Sequence, residues 1–471
     1  VSAASAAIAD GVGHALAAAL GAGHVIGGEA IGPRYRTEIM GKYASAPAWL
    51  AKPGNTAEVA EAMRIAARHA MPVTVVGGQT GTCGGAIPRD GGLALSLERM
   101  NRIEEIDPVS MTMTVEAGCI LQIAQDAAEA KGGFLPLDLG SRGSATVGGC
   151  IAANAGGNRV LRWGMMRDMV LGLEAVLADG TIVSSLGKML KDNAGYDWKQ
   201  LMIGSEGTLG IVTRAVLRLR PLPVTNQTAL VALARFEDVT RLLRDLEVGL
   251  GGQLSSFEVM WREFFQVMTD AQLATRPRPM ATGHAYYALV ERLGGDPEVD
   301  PGQFERLLAA ALTSGVIKDA VIASSERERQ ALWAVREDLH GGIGGLAPYT
   351  VYDVSVGLAQ MEQLAADVTA SVKARFAGAR MLFYGHAGDG NLHLVVHVGP
   401  DGARHADTVD RLVYEAAGAL GGSIAAEHGV GMSRAPYLAL SRSPAELDLM
   451  RRIKAALDPH SLLNPGKILI A

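Results

Sequence analysis

Short apolar runs separated by turn formers dominate the first half of this chain. Residues 56–71, TAEVAEAMRIAARHAM, carry apolar side chains at helical spacing behind Thr56 as N-cap, and Pro72 stops the run. VTVV (73–76) follows as a buried strand and opens into GGQTGT, a strand-to-glycine-loop junction of the kind that holds phosphate. GLALSL (92–97) and MTMTVEAG (111–118) read as strands, and ILQIAQDAAEAKG as a helix ending at Gly132. MVLGLEAVLADGTIVSS (169–185) predicts a hairpin turning at Asp179-Gly180. LGIVTRAVLRLRPLP (209–223) predicts a strand stopped by Pro221 and Pro223, which marks a domain boundary. Beyond it, strand and helix patterns alternate through TALVALARFEDVTRLLRDLEVGL, SFEVMWREFFQVM and PGQFERLLAAALTSG. These predict an α+β domain with helices over an antiparallel sheet. The Ala-rich start predicts a surface helix bearing Asp10 and His14.

Composition narrows the classes. The 471 residues suggest about three domains by length, with two large ones fitting as well, and 48% hydrophobic and 20% charged residues mark an ordinary globular chain. A net charge of −6 argues against a nucleic-acid partner, which selects a basic face. Cys83, Cys119 and Cys150 lack zinc or redox spacing and predict buried thiols in a reducing, cytoplasmic compartment. No uncharged apolar stretch reaches membrane-span length, and the N-terminal stretch lacks the cationic lead of a signal peptide. Peripheral membrane association stays open.

Glycine changes the picture. There are 58 in the chain, about one in eight against a usual ~7%. They cluster at 75–85, 139–158, 204–210, 341–345, 385–391 and 421–431. Glycine lets backbone approach a ligand and present N–H groups to it, so several such loops predict a large ligand held by main chain. It is not held by a Rossmann fingerprint: GAGHVIG (21–27) follows a helical run, and GxxxxGK[ST] does not occur.

The candidate chemistry lies further on. Residues 383–397, FYGHAGDGNLHLVVH, hold three of the eleven histidines across a turn between two β-type runs. A loop over Ala387–Leu392 makes His386 and His393 a directly opposed pair on one face, with Cβ atoms about 5 Å apart. Such a pair chelates a metal or forms a hydrogen-bonded core pair. GGSIAAEHGVG offers Glu427 as a third ligand, giving the three-ligand open pattern of catalytic zinc. His428, its neighbour on a strand-like run, points elsewhere and does not bind the metal. The alternative is that Glu427-His428 caps the next helix. His397 shares the face of His393 and is a rival ligand. In SSERERQALWAVREDLHGG (324–342), Arg336 and His340 fall at i,i+4 on one helical face. Arg336 is either an exposed ion pair or a fork for a substrate carboxylate.

TVGGCIAANAGGNRVLRWGMMRDMVLGLEAVLADG, LMIGSEGTLGIVTRAVLRLRPLP, YGHAGDGNLH, AEHGVG and LDPHSLLNPGKIL, in this order from about residue 40 to the end, resemble the FAD-linked D-2-hydroxyacid dehydrogenases. That family includes D-lactate and D-2-hydroxyglutarate dehydrogenases and the D subunit of glycolate oxidase, within the vanillyl-alcohol oxidase flavoprotein superfamily. The resemblance implies an α+β, two-domain flavoprotein. Its FAD-binding domain is residues 1–222, completed by 427–471, and its cap domain, an antiparallel sheet carrying the substrate and metal sites, is 223–426. Val76, Gly77, Gly78, Gln79, Thr80 and Gly81 are then expected at the pyrophosphate. Ser141, Thr146, Gly148, Gly149 and Asn154 are expected on the other side of the cofactor. Glu206, Gly207 and Ile211 are expected near adenine or pyrophosphate, and Asn464 near the flavin.

The resemblance also implies a divalent metal on His386, His393 and Glu427, with Zn²⁺ preferred and Mn²⁺ or Fe²⁺ as alternatives. His428 is then the base, and Arg336 the carboxylate anchor. Electrons pass to a separate acceptor: an electron-transfer flavoprotein, a quinone or a cytochrome. A homodimer is usual in such families. The glutarate-specific members carry a lysine and an asparagine where this chain has Val351 and Val395. The two valines predict an apolar wall suited to D-lactate and slightly longer monoacids, with His340, Lys373 or Arg380 as the residues that could receive a second carboxylate. An oxidase using O₂, and a non-enzymatic metal-binding α/β protein, are the rival readings.

Overall fold

The computed structural model describes residues 3–270 and 278–470. The chain forms two compact units: Val1–Gly157 with Gly164–Leu222 and Glu427–Ala471, and Asn158–Trp163 with Pro223–Ala426.

In the first unit, strands Val25–Gly27, Trp49–Ala51, Leu93–Ser96 and Val73–Val76 form one sheet in that order. The last three run parallel, with Leu93 beside both Trp49 and Val73. Leu93–Ser96 is central and wholly buried, as a continuous apolar run requires. The crossover helix is Thr56–Arg68. Its cap is Asn55, which accepts from the Glu58 N–H at 3.0 Å, and not Thr56. The Thr56 hydroxyl is drawn instead to Glu174 Oε1, 2.6 Å away. The N-terminal helix Ala3–Leu20 buries Val12, Leu16 and Leu20, a stripe at i,i+4 spacing that packs against Thr56–Arg68. His14 is on its exposed side, and the side chain of Asp10 lies outside the described residues.

A second sheet of five antiparallel strands runs Ile103–Asp107, Thr112–Glu116, Ile211–Arg218, Val170–Val176, Ile182–Ser185. The sequence pattern did not mark Ile103–Asp107. It is a charged, half-exposed edge strand with no apolar alternation to read. The Asp179-Gly180 turn forms as expected, with Gly180 at φ +83° and Asp179 Oδ1 accepting from the Thr181 N–H at 2.8 Å. The helix expected to reach Gly132 spans Leu121–Glu129, and Gly132 at φ +75° turns the chain into the short strand Gly133–Phe134. After the helix Pro444–Leu457, the chain returns beside Val73–Val76. The Val73 N–H donates to Leu462 O and the Asn464 N–H to Val73 O, both at 2.8 Å.

The second unit is built on seven strands, every neighbouring pair antiparallel: Asp319–Ile322, Thr225–Leu233, Tyr286–Gly294, Leu254–Trp261, Arg380–His386, Asn391–His397 and Thr350–Ser355. One face buries Met260, Tyr287, Leu382, Tyr384 and Val395 against the helices Arg262–Met268 and Glu326–Glu337. The other carries the Trp261, Tyr286 and Phe383 rings, and Phe236 of the helix Phe236–Gly249 packs on Trp261 and Tyr286. The helix expected over 324–342 breaks at Asp338, at φ −82° and ψ 63°. Asp338 caps a separate short helix, Leu339–Ile343, by accepting from the Gly341 N–H. An aspartate that can satisfy orphan N–H groups favours that local bond over continuing the helix. Arg336 and His340 therefore do not share a helix. The side chain of His340 lies outside the described residues.

Candidate active site

The glycine loop after Val73–Val76 and the small-residue segment after Leu139 enclose a groove in the first unit, with about 1140 Å³ of open space. Val76, Gly77, Gly78, Gln79, Thr80, Gly81, Thr146, Gly148, Gly149, Glu206, Gly207, Ile211 and Asn464 all line it. The loop and segment touch because the loop lacks side chains. A Cβ on Gly78 would lie 2.0 Å from Ser144 O, and one on Gly77 2.7 Å from Thr146 Oγ1. Thr146 caps the helix Val147–Ala153 by accepting from the Gly149 N–H at 3.3 Å. Gln79 sits at φ +55°, and both polar atoms of its buried amide lack a partner among the described residues. Such a group calls for a ligand. The groove floor of Gly148, Gly149, Ala152, Ala153 and Ala155 admits something flat, so the site fits a dinucleotide flavin.

Two expected members stand apart from the groove. Ser141 is exposed and outside the lining. Asn154 ends its helix in the left-handed region at φ +48°, and its Oδ1 accepts from the Arg167 N–H at 3.0 Å. Asparagine tolerates this conformation, so the position serves the turn. The alanines, Cys83 and Cys150 were not singled out for the groove, because small residues carry no chemical signature. Cys150 is inert there, since burial pushes its thiol up to about 12.

Glu206 and Asn464 reach the groove with their side chains already committed. Glu206, at φ +50°, accepts from the Val430 N–H at 2.6 Å and the Gly431 N–H at 2.8 Å. Burial pushes this carboxyl up, and the two N–H groups oppose the shift. Asn464 accepts from the Val75 N–H at 3.1 Å and donates to Glu206 O. Together they hold the loop that carries His428, which is exposed and lines the groove. The run before it is not a strand. Residues 424–430 are irregular, and the following 3₁₀ turn, Ala435–Leu440, has no side-chain cap. Glu427, the first residue after the second unit, accepts from the Gly157 N–H at 2.7 Å.

In the second unit, the hairpin differs in register from the sequence expectation. The turn is Ala387–Gly390, so His386 faces Asn391 and His393 faces Tyr384. Asp389 Oδ1 takes the Asn391 N–H, and Gly390 adopts φ +80°. This closes the turn in four residues and leaves Asn391 and Leu392 in the ladder. The histidines are diagonal neighbours, still on one face, with ring centroids 5.2 Å apart and ring nitrogens within 4.8 Å. Both are buried. His397, at the far end of its strand, is bound to Pro348 O at 2.8 Å, and the rival ligand role falls away.

Arg336 is not the exposed ion pair of the first alternative. It is buried, stacked 4.5 Å over the Tyr384 ring, with Nε 2.9 Å from Glu258 Oε2 and Nη2 3.4 Å from His386 Nε2. Glu258 also takes His386 Nδ1 at 2.7 Å through Oε1. Nothing local marks Glu258, which lies in SFEVMW among apolar residues. Only its register opposite His386 shows its purpose. Asp353 stands opposite His393, 3.8 Å from Nδ1, and accepts from Asn391 Nδ2 at 3.0 Å. Val351 and Val395 are a directly opposed pair on this same face; Val395 is buried and Val351 is at the sheet edge. Arg380 opens the His386 strand. Six residues of strand put it about 20 Å from the histidine. Lys373 is exposed on the helix Met361–Arg375.

Residues 222–468 match the family model of FAD linked oxidases, C-terminal domain, and residues 47–185 match that of the FAD binding domain. The chain is 37% identical over 420 residues to the mitochondrial D-2-hydroxyglutarate dehydrogenase of Bos taurus, covering 89% of this chain and 76% of that one. It is 38% identical over 431 residues to the D-2-hydroxyglutarate dehydrogenase of Xanthomonas citri pv. viticola, covering 90% and 89%. In fold it is similar to p-cresol methylhydroxylase, with a TM-score of 0.76, 17% identity, and coverage of 98% and 97%. The two-domain α+β architecture expected from the motifs is that fold. The chain belongs to the FAD-linked D-2-hydroxyacid dehydrogenases, flavin-dependent oxidoreductases with paired FAD-binding and C-terminal oxidase domains.

Proposed function

We propose that the chain oxidises a small D-2-hydroxy monoacid, D-lactate or a slightly longer homologue, to the 2-oxo acid. The observation that carries this reading is the pairing of His386 and His393 on one sheet face, with Arg336 brought over it by a helix and sharing the Glu258 carboxylate with His386. In this reading the first unit is the FAD-binding domain and the second binds substrate. Gly77, Gly78, Gln79 and Thr146 hold the cofactor, whose flavin, when bound, accepts a hydride from the substrate Cα. His386 and His393, with Glu427 at the point where the chain leaves the second unit, hold a divalent metal, Zn²⁺ by their chemistry. That metal supplies Lewis acidity that lowers the pKa of the substrate hydroxyl.

The chain's own groups do the rest. Arg336 uses Nε on Glu258, sets Nη2 beside His386 Nε2, and offers Nη1 to the substrate carboxylate. His428, open to the groove, takes the hydroxyl proton. Fixing carboxylate and hydroxyl leaves one hand of Cα able to deliver its hydrogen. Electrons leave for a separate acceptor, an electron-transfer flavoprotein, quinone or cytochrome. A homodimer is usual in such families, and three buried free cysteines fit a reducing compartment. Among the described residues no helix is long and apolar enough to cross a membrane.

Val351 and Val395 set the preference for monoacids. Burying an unpaired second carboxylate against them costs several kcal/mol. That amounts to roughly 10²-fold in kcat/KM. Kinetics with D-lactate, D-2-hydroxybutyrate and D-2-hydroxyglutarate and an artificial acceptor test this. A preference for the diacid overturns it in favour of D-2-hydroxyglutarate, the substrate for which the cattle and Xanthomonas relatives are named. Gly78→Ala tests the groove. Its Cβ would collide with Ser144 O, so the purified variant is expected to lose the flavin absorbance of the wild type.

A further inference from the structure

We propose that Glu258 is a positioning residue that couples the metal-binding histidine to the substrate-binding arginine, an inference that rests on the metal reading above. Its carboxylate is fully buried and splits its oxygens: Oε1 meets His386 Nδ1 at 2.7 Å, and Oε2 meets Arg336 Nε at 2.9 Å. Arg336 Nε can only donate. An ionised carboxylate can only accept, so His386 must carry its proton on Nδ1 to complete the pair. That tautomer leaves the lone pair on Nε2, the nitrogen that would bind the metal and that lies 3.4 Å from Arg336 Nη2. The same carboxylate fixes the guanidinium plane from its Nε side, with the Tyr384 ring below it. One side chain thus sets both the nitrogen that receives the metal and the edge that receives the substrate carboxylate.

Strand register explains why this residue can do both. Glu258 is cross-strand partner to His386, so the two side chains share a face at short range. Arg336 comes from the last turn of the helix laid over that face. The sheet supplies the carboxylate–imidazole contact and the helix supplies the guanidinium.

Glu258→Gln keeps the volume and replaces one of the two accepting oxygens with an NH₂ that can only donate. If the amide oxygen takes Arg336 Nε, the NH₂ faces His386 and favours the other tautomer, with the proton on Nε2. If the oxygen takes His386 Nδ1, the NH₂ opposes an N–H of Arg336 and displaces it. The purified flavoprotein carrying Glu258→Gln is expected to bind Zn²⁺ about 10–100-fold more weakly in competition with a chelating dye. Its flavin absorbance is expected to be unchanged. A second measurement needs no variant of Glu258: ¹⁵N-histidine NMR of the metal-free wild-type flavoprotein, with the His386 signals assigned by their loss in His386→Gln. It should show a protonated Nδ1 and a lone-pair Nε2. Equal zinc affinity of wild type and Glu258→Gln, or the opposite tautomer, overturns the role of Glu258 while the metal reading stands. A wild-type flavoprotein that binds no divalent metal overturns both.

Discussion

His428→Ala is expected to keep its FAD and lose about 10²–10⁴-fold in the rate of flavin reduction by D-lactate, the usual cost of removing a general base. The argument is one of position. His428 is exposed and lines the groove, while its neighbours are held by main-chain bonds to a buried carboxylate, Glu206. The alanine variant removes the imidazole and leaves that anchoring in place, so the fold and the cofactor groove stay intact. Stopped-flow reduction under anaerobic conditions reads this rate. A variant that reduces its flavin at the wild-type rate moves the base to another residue, His340 first.

His393→Ala, or treatment of the wild type with a chelator, is expected to abolish turnover while the flavin absorbance remains. The two imidazoles proposed for the metal belong to the second unit, and the glycine loops proposed for the cofactor belong to the first. Losing one imidazole leaves His386 and Glu427, too few for a tight site. Without the Lewis acid the hydroxyl keeps its ordinary pKa. A loss of about 4 kcal/mol of transition-state stabilisation corresponds to roughly 10³-fold in rate. Metal analysis of the variant decides the matter: full occupancy in His393→Ala removes His393 from the ligand set. Restoration of chelated wild type by Zn²⁺, Mn²⁺ and Fe²⁺ in turn identifies the ion, since two nitrogens and a carboxylate do not select one alone.

Local sequence determined a good deal here. The runs at 73–76, 169–185 and 209–223 are strands because their apolar periodicity and turn residues agree. The glycine loops lie where they do because Gly77 and Gly78 sit within 3 Å of foreign backbone or hydroxyl at the Cβ position, a constraint written directly into residue type. Local chemistry also named His386, His393 and Arg336, since residue type and spacing already limit what such groups can do. What sequence could not settle was register. A four-residue turn instead of six changed an opposed histidine pair into a diagonal one, and the choice rested on the Asp389 bond and the left-handed Gly390. Asp338, by capping a new helix, separated Arg336 from His340 in a run that reads as one periodic helix. Asn154 is drawn to the Arg167 N–H and Ser141 is exposed, placements that only the folded chain shows. Glu258 was invisible for the same reason. Its partners lie 128 and 78 residues away in sequence, and a buried carboxylate takes its meaning only from the groups that tertiary structure places against it.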